Sequence, residues 1–147
     1  MEVRHLFEAQ VKRLVAENYT KDEANSLVLW LMEHYYHYSR TDLARQKALF
    51  DDPRTLVNAV NELVKGKPIQ YVTGKAHFYG RDFIVDGNVL IPRRETEELV
   101  YWILSDHKDI PFKAIDIGTG SGCIPITLKA ERPNAEVVVG NGRKPFM

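Results

Sequence analysis

A glycine-rich segment, DIGTGSGCI, is the stretch of the sequence best suited to chemistry. Its glycines stand at positions 118, 120 and 122, after a short apolar run and before a helical pattern. A dinucleotide-binding loop has its third glycine one position later, where this chain has Cys123, and a Walker loop would continue into Gly-Lys-Ser or Gly-Lys-Thr. The spacing therefore disfavours NAD and FAD and excludes a Walker loop. It favours a loop whose backbone approaches a nucleoside ligand, with amides at the helix start facing the ligand's charged end.

The acidic residue Asp116 ends the apolar run before this loop. Its carboxylate could accept a hydrogen bond from a ligand ammonium group, or it could orient the amides of the loop. A simpler interpretation also stands, in which Asp116 and the glycines only form a tight turn between a strand and a helix.

The loop needs regular elements on both sides to hold it in place. The pattern predicts a short strand over 114–117, a helix that runs to about Glu131, and a second strand over 137–139. An earlier helix is predicted over 93–105, with glutamates in its first turn. The order strand, helix, strand is typical of the opening of a parallel α/β sheet.

The region before the loop is predicted to be mostly helical. An amphipathic helix spans 2–17, and Thr20-x-x-Glu23 has the form of a capping box for a second helix. A similar cap at Ser39 predicts a third helix that includes Phe50, and Asp52-Pro53 begins a fourth that ends near Gly66. A short helical turn over 68–74 follows. Because no single apolar stripe can be buried alone, these helices should form a small bundle over 1–74.

Residues 75–92 alternate between apolar and polar side chains and are rich in aromatic and branched residues. This pattern predicts a β-hairpin, and the pair Asp86-Gly87 is suited to its tight turn. We expect the hairpin to link the helical bundle to a second domain over 93–147.

Composition limits the classes of partner. The chain has 20 Lys plus Arg and 20 Asp plus Glu in 147 residues, so its bulk charge favours neither a nucleic acid nor an anionic membrane. Cys123 is the single cysteine, which excludes an internal disulfide and suits a reducing compartment. No signal-like or membrane-spanning apolar run occurs, so the sequence predicts a soluble, cytoplasmic protein. His34 and His37 lie one turn apart but lack a third ligand for a metal, and no metal site is predicted.

The segment PIQYVTGKAHFYGRDFIVDGNVLIPRRETEELV over 68–100, followed by DIGTGSGCI, resembles the PrmC/HemK family. Members of that family are S-adenosylmethionine-dependent methyltransferases that modify the glutamine of the Gly-Gly-Gln motif in peptide-chain release factors. The resemblance is strong from 68 to about 140, and the helical region before it fits the family's N-terminal bundle by architecture. It implies an α+β chain, with an all-α bundle, a β-hairpin linker and the start of a Rossmann-like methyltransferase domain.

The resemblance also implies roles for individual residues. Asp116 would support the loop near the methionine moiety of S-adenosyl-L-methionine, and the residues lining this cofactor would be Gly118, Thr119, Gly120, Ser121 and Gly122. The stretch before the domain contains Arg93, Glu95 and Thr96, which could equally be ordinary helix-start residues. The family usually has proline at the position of Arg94, a change that should cost little at a helix start.

The end of the sequence departs from the family. After EVVVG come Asn141 to Met147, without the acidic residue for the cofactor ribose and without the family's Asn-Pro-Pro-Tyr motif. We therefore expect a truncated chain that holds no assigned catalytic residue, cannot turn over alone, and exposes strand edges that favour self-association. Two other functions stay open: a non-catalytic module that binds a protein through its helices, and a methyltransferase that acts on a nucleic acid or a small molecule.

Overall fold

The computed structural model describes residues 1–140, and the predicted departure of the tail from Asn141 onward lies outside the described residues. The chain divides into two compact units, residues 1–73 and residues 74–147. Helices and strands are both present, with helices predominating. No helix within the described part of the chain is long and apolar enough to cross a bilayer.

The first unit is helical. Its described elements are α1 (Val3–Ala16), α2 (Lys21–Tyr36), α3 (Arg40–Ala44), α4 (Pro53–Val64) and α5 (Ile69–Thr73). Their apolar stripes meet in one core, whose fully buried side chains include Val3, Leu14, Val28, Leu31, Met32, Leu56 and Val60.

Two predicted helix starts are confirmed by their hydrogen bonds. The Thr20 side chain accepts from the backbone amide of Glu23, and the Glu23 carboxylate accepts from the amide of Thr20, which completes the capping box of α2. Asp52 caps α4 by accepting from the amide of Arg54, with Pro53 in the first position of the helix. These local signals position the long helices of the unit.

The third helix is shorter than the sequence predicts. It ends at Ala44, and Gln46 adopts a left-handed backbone conformation that helices do not continue. The chain then pairs with the N-terminus: the amide of Val3 donates to the carbonyl of Lys47, and Ala48 forms a β-bridge with Glu2. The prediction of helix to Phe50 was wrong because this long-range pairing leaves no local trace in the sequence.

The second unit combines helices and strands. Its described elements are β1 (Lys75–Phe78), β2 (Arg81–Ile84), α6 (Arg94–Asp106), β3 (Lys113–Ile117), α7 (Cys123–Glu131) and β4 (Glu136–Gly140). A second core joins these elements, through the buried side chains Phe78, Phe83, Val100, Leu104, Phe112, Cys123, Leu128 and Ala135.

The hairpin is present, but its turn is not at Asp86-Gly87. Phe78 pairs with Arg81, so the turn consists of Tyr79 and Gly80, both at positive φ (48° and 77°), as a two-residue hairpin loop prefers. The prediction was wrong because an Asp-Gly pair also suits other turns. Asp86 lies after β2, where its carboxylate accepts from the amide two residues later and forms a local turn.

β3 and β4 are parallel and α7 connects them, so this part of the chain is a β-α-β unit. The pairing runs from Lys113 opposite Glu136 to Ile117 opposite Gly140. The alternation of strand side chains sends Ala114 and Val137 toward the second core, and among residues 1–140 nothing covers the other face of this sheet, where Ile115 and Ile117 are exposed. The register therefore sets both the start of the glycine loop and an uncovered apolar face.

Candidate functional site

The glycine loop joins the carboxyl end of β3 to the first turn of α7. Its three glycines all have positive φ, 77° at Gly118, 59° at Gly120 and 81° at Gly122. An L-residue pays roughly 1–2 kcal/mol for this left-handed conformation, and glycine does not. The alternating glycines are thus required by the path of the backbone, as the sequence pattern predicts.

Some backbone amides of the loop donate hydrogen bonds to backbone carbonyls, and others do not. The amide of Gly118 donates to the carbonyl of Gly140 on β4 over 2.7 Å, and the amide of Gly122 donates to the carbonyl of Thr119 over 3.1 Å. Within residues 1–140, the intervening amides of Thr119, Gly120 and Ser121 make no such bond. The donors that remain for a ligand therefore lie at the middle of the loop, between two anchored glycines.

Space for a ligand lies beside the first two glycines. A Cβ atom added at Gly118 or Gly120 would meet nothing within 4 Å, whereas one at Gly122 would come within 3.1 Å of Cδ1 of Ile126. Gly118 and Gly120 therefore border open space, and Gly122 allows close packing against the helix. The loop has the shape of a cradle for a small ligand that approaches the backbone.

Polar side chains around this cradle lack partners. Oδ2 of Asp116 and Oγ1 of Thr119 are shielded from solvent and have no hydrogen-bond partner within the described residues. A buried polar atom without a partner costs roughly 1–3 kcal/mol, so native structures seldom leave one unsatisfied. The carboxylate of Asp116 can accept a hydrogen bond from a positive group, and the open amides can donate to a negative group. The arrangement therefore fits a ligand that carries both kinds of group.

The first turn of α7 contributes further donors. Gly122 occupies the N-cap position without a side chain to cap the helix, so the positive end of the helix dipole is not satisfied locally. Pro125 follows as the third helical residue, where its missing amide costs no intrahelical bond. This confirms the predicted place of Pro125 and leaves the start of α7 suited to an anionic group.

Cys123 belongs to the core and not to the cradle. Its thiol is buried, and this burial raises the pKa of Cys123. The negative charge of Asp116 also raises the pKa of this thiol. A thiol held protonated in this way is a packing residue, as its lack of a neighbouring base in the sequence indicates.

A depression of about 700 Å³ lies beside the loop, between α7 and β4. Thr119 and Gly122 line its end near the loop, and the rest of its lining is mainly apolar, including Ile126, Val137 and Val139. The polar cradle thus continues into an apolar surface.

The structure does not bring the stretch before α6 into a shared network. Arg93 is the N-cap residue of α6 and makes no side-chain capping bond, and Glu95 lies exposed in the first turn. Thr96 is half-buried, and its amide donates to the carbonyl of Arg93. These contacts are those of an ordinary helix start.

Sequence reasoning missed a neighbouring contact. The carboxylate of Glu97 accepts from the amide of Tyr79 over 2.8 Å and so ties the hairpin turn to the start of α6. Arg81 beside that turn pairs with Glu131 at the end of α7, also over 2.8 Å. A glutamate in a first helical turn is usually explained by the helix dipole alone, so the sequence held no signal for either link.

The described part of the chain contains no group of three or more His, Cys, Asp or Glu side chains placed to hold a metal ion. His34 instead lies edge-on to the ring of Tyr35, with ring centroids 4.7 Å apart.

Comparison with curated proteins identifies what the chain is similar to. A protein of Flavobacterium psychrophilum named release factor glutamine methyltransferase is 38% identical over 138 residues, which cover 89% of this chain and 48% of that protein. The chain matches the N-terminal part of release factor glutamine methyltransferases. The enzyme of that name from Staphylococcus aureus is 42% identical over 114 residues, 74% of this chain and 40% of its own length. That from Streptococcus pneumoniae is 34% identical over 96% of this chain and 50% of its own length.

The chain spans about half the length of the release factor glutamine methyltransferases that it matches best along its sequence. No protein-family model matches it. The longest matches cover 93–96% of the chain, and they therefore include its glycine loop.

Proposed function

We propose that the chain is the N-terminal part of an S-adenosylmethionine-dependent methyltransferase that modifies a glutamine of peptide-chain release factors. The observation that carries this proposal is the glycine loop, with open space beside Gly118 and Gly120 and unpartnered polar atoms on Asp116 and Thr119. The name shared by the matching relatives supports the reaction and the protein substrate. In this proposal the β-α-β unit begins a Rossmann-like domain.

The loop would hold the cofactor by complementary charge. S-adenosylmethionine carries an ammonium and a carboxylate on its methionine moiety, and its sulfonium supplies the methyl group when it is bound. The carboxylate of Asp116 would accept from the ammonium group. The open amides from Thr119 to Ser121 and the uncapped start of α7 would donate to negative or lone-pair groups of the ligand.

The first unit would recognise the protein substrate. It is a separate compact unit with its own core. A release factor is the partner implied by the relatives' name, and the balanced charge of the chain gives no support to direct nucleic-acid binding. We place the reaction in the cytoplasm, where release factors act.

We further propose that these 147 residues do not transfer a methyl group by themselves. An amide nitrogen is a poor nucleophile, so the reaction depends on holding the glutamine in line with the methyl group and accepting hydrogen bonds from its amide. The Asn-Pro-Pro-Tyr segment that the family resemblance assigns to this task does not occur in the sequence. We therefore expect these residues to bind the cofactor without catalysing methyl transfer.

Calorimetric titration of S-adenosylmethionine into the purified chain tests the proposal, with NAD as the control ligand. We expect saturable heat with S-adenosylmethionine and none with NAD. Absence of heat up to roughly 1 mM S-adenosylmethionine, which corresponds to a binding free energy weaker than about −4 kcal/mol, would refute cofactor binding by this loop. A parallel assay of radioactive methyl transfer to a release factor should show no product, and product formation would refute the separation of binding from catalysis.

A further inference from the structure

The outer side of α6 carries a continuous stripe of exposed side chains. Leu99 and Trp102 are 45% and 61% exposed, and they lie three residues apart, so they are neighbours on the helix surface. Glu95 lies four residues before Leu99, and Asp106 lies four residues after Trp102. We call these four residues the α6 stripe. Its centre is apolar, and each of its ends is acidic.

The other side of the same helix holds it in the fold. Val100 and Leu104 are buried in the second core, and the carboxylate of Glu97 accepts from the amide of Tyr79. Neither core includes the two apolar residues of the α6 stripe, and its two acids form no ion pair within residues 1–140. The packing of the described residues therefore does not require an apolar centre with acidic ends on this side.

Asp106 occupies a position that is unfavourable for helix stability. It is the last residue of α6, where the negative end of the helix dipole repels a carboxylate. The helix has four acidic side chains and one basic side chain, Arg94, which lies at its opposite end. The dipole explains the acids of the first turn but not the acid of the last turn. An exposed acid at this position fits a role in binding a cationic group.

The charge of the α6 stripe limits what can bind there. Nucleic acids and anionic membranes are negatively charged, so the acidic ends repel them. A second copy of the chain is also disfavoured, because two α6 stripes packed antiparallel would bring Glu95 of one copy beside Asp106 of the other. Additional polypeptide would join the sheet at its edges or cover its open face, and both lie away from the outer side of α6.

We propose that the α6 stripe binds an amphipathic helix of a partner protein, with apolar side chains at its centre and a basic side chain at each end. Glu95 and Asp106 are eleven residues apart, which is about 16 Å along the helix axis. The basic side chains of the partner helix should have the same spacing. Arginine suits them best, because its guanidinium binds a carboxylate through two hydrogen bonds and also stacks on an indole.

Trp102 would be the anchor of this contact. Tryptophan is enriched among the residues that dominate binding energy, and its large apolar ring gains most when a partner shields it from water. The α6 stripe is separate from the glycine loop, so this inference goes beyond the proposed function and does not rest on it.

A synthetic helical peptide tests the proposal. The peptide consists of alanine and glutamine, with two leucines three residues apart and an arginine four residues outside each leucine. The chain has two tryptophans, Trp30 and Trp102, so the variant Trp30→Phe leaves Trp102 as the single fluorescent reporter. We expect a saturable blue shift of its emission, with half-saturation below about 1 mM peptide at low salt. Binding should weaken as the salt concentration rises.

Matched variants separate the α6 stripe from the bulk charge of the chain. Glu95→Lys should weaken binding about fivefold, because an attraction between exposed charges becomes a repulsion. Glu33→Lys reverses an exposed acid on α2 of the first unit and should leave the affinity unchanged. Trp102→Ser should weaken binding at least about tenfold, measured by calorimetry because this variant lacks the reporter.

Nitrogen-15 spectra of the unmodified chain give an answer that does not depend on how the variants fold. The peptide should shift the amide signals of 95–106 and leave those of α2 in place. No blue shift up to about 1 mM peptide, equal binding of a peptide with glutamates in place of its arginines, or signal shifts only in other elements would overturn the proposal. Self-association of the chain that Trp102→Ser abolishes would also overturn it, since the occupant would then be a second copy.

Discussion

Replacement of Gly118 by alanine separates the two tasks of the glycine loop, which are to shape the backbone and to leave room for a ligand. Gly118 has φ of 77°, and a Cβ atom there would meet no atom within 4 Å. The variant should therefore lose only the strain energy of a left-handed alanine, roughly 1–2 kcal/mol. For a unit of this size each kcal/mol lowers the melting temperature by about 4–8 °C.

Gly80 provides a matched control for this variant. It too has φ of 77° and no atom within 4 Å of an added Cβ, but it lies in the hairpin turn. Gly80→Ala and Gly118→Ala should therefore lower the melting temperature of the second unit by similar amounts.

Ligand affinity should distinguish the two glycine variants. The Cβ of Gly118→Ala would enter the space that we assign to the cofactor, where crowding of roughly 1–3 kcal/mol corresponds to about 5- to 150-fold weaker binding. Gly80→Ala should bind S-adenosylmethionine as the unmodified chain does. Calorimetry of both variants, below their melting temperatures, makes the comparison. Equal affinity of the two variants would refute the placement of the ligand against Gly118.

Three further predictions concern the fold. The hydrogen bond from the Ser39 amide, together with the hydrogen bond from Lys47, lowers the pKa of Asp42 from 3.8 to about 2 in the folded chain. The ionised Asp42 therefore stabilises the fold above about pH 4, and this stabilisation is lost as the pH falls toward 2. Asp42→Asn should remove that part of the pH dependence of the urea midpoint. Tyr36→Phe should cost roughly 1–3 kcal/mol in urea unfolding, since the hydroxyl accepts from the amide of Leu56 over 3.0 Å and the buried donor would lose its partner. Arg81→Gln should cost about 1 kcal/mol of unfolding free energy, because its ion pair is partly shielded from solvent.

Controls make each of these results decisive. Tyr35→Phe should cost less than Tyr36→Phe, because the Tyr35 hydroxyl makes one longer bond, of 3.3 Å, to a carbonyl; equal losses would contradict the argument. A double-mutant cycle of Arg81→Gln with Glu131→Gln should show coupling, and additive effects would remove the link between the hairpin and α7. For Asp42→Asn, a urea midpoint that still falls between pH 4 and pH 2 as steeply as in the unmodified chain would exclude this carboxylate as the cause.

Features that depend on neighbouring residues could be predicted from the sequence. The side chains of Thr20 and Asp52 cap their helices by accepting from amides two or three residues away. Each cap therefore depends only on residues that are close together in the sequence. The glycine loop is similar, since its positive φ values need glycine at fixed intervals. The family resemblance rested on the glycine loop and the segment 68–100, and it agrees with the curated relatives.

Features that depend on distant residues could not be predicted. The third helix ends early because residues near Ala48 pair with the N-terminus, and the hairpin turns at Tyr79 because a different register buries its aromatic side chains. Likewise, nothing in the sequence shows that Glu97 binds the hairpin turn or that the amide of Gly118 is occupied. In each case a strand pairing or a hydrogen bond joins two segments that are distant in the sequence, and neither segment alone predicts it.

The hydrogen bond from the Gly118 amide to the carbonyl of Gly140 has a consequence for the order of events during synthesis. The first anchor of the loop is a residue that leaves the ribosome later than the whole of α7. Until β4 emerges and pairs with β3, no hydrogen bond holds the amide of Gly118 at the start of the loop, however strongly the glycines favour the turn. The nascent chain therefore acquires its cradle at a defined point of elongation, when residue 140 becomes available, and a chain halted before that point should carry the glycines without the site.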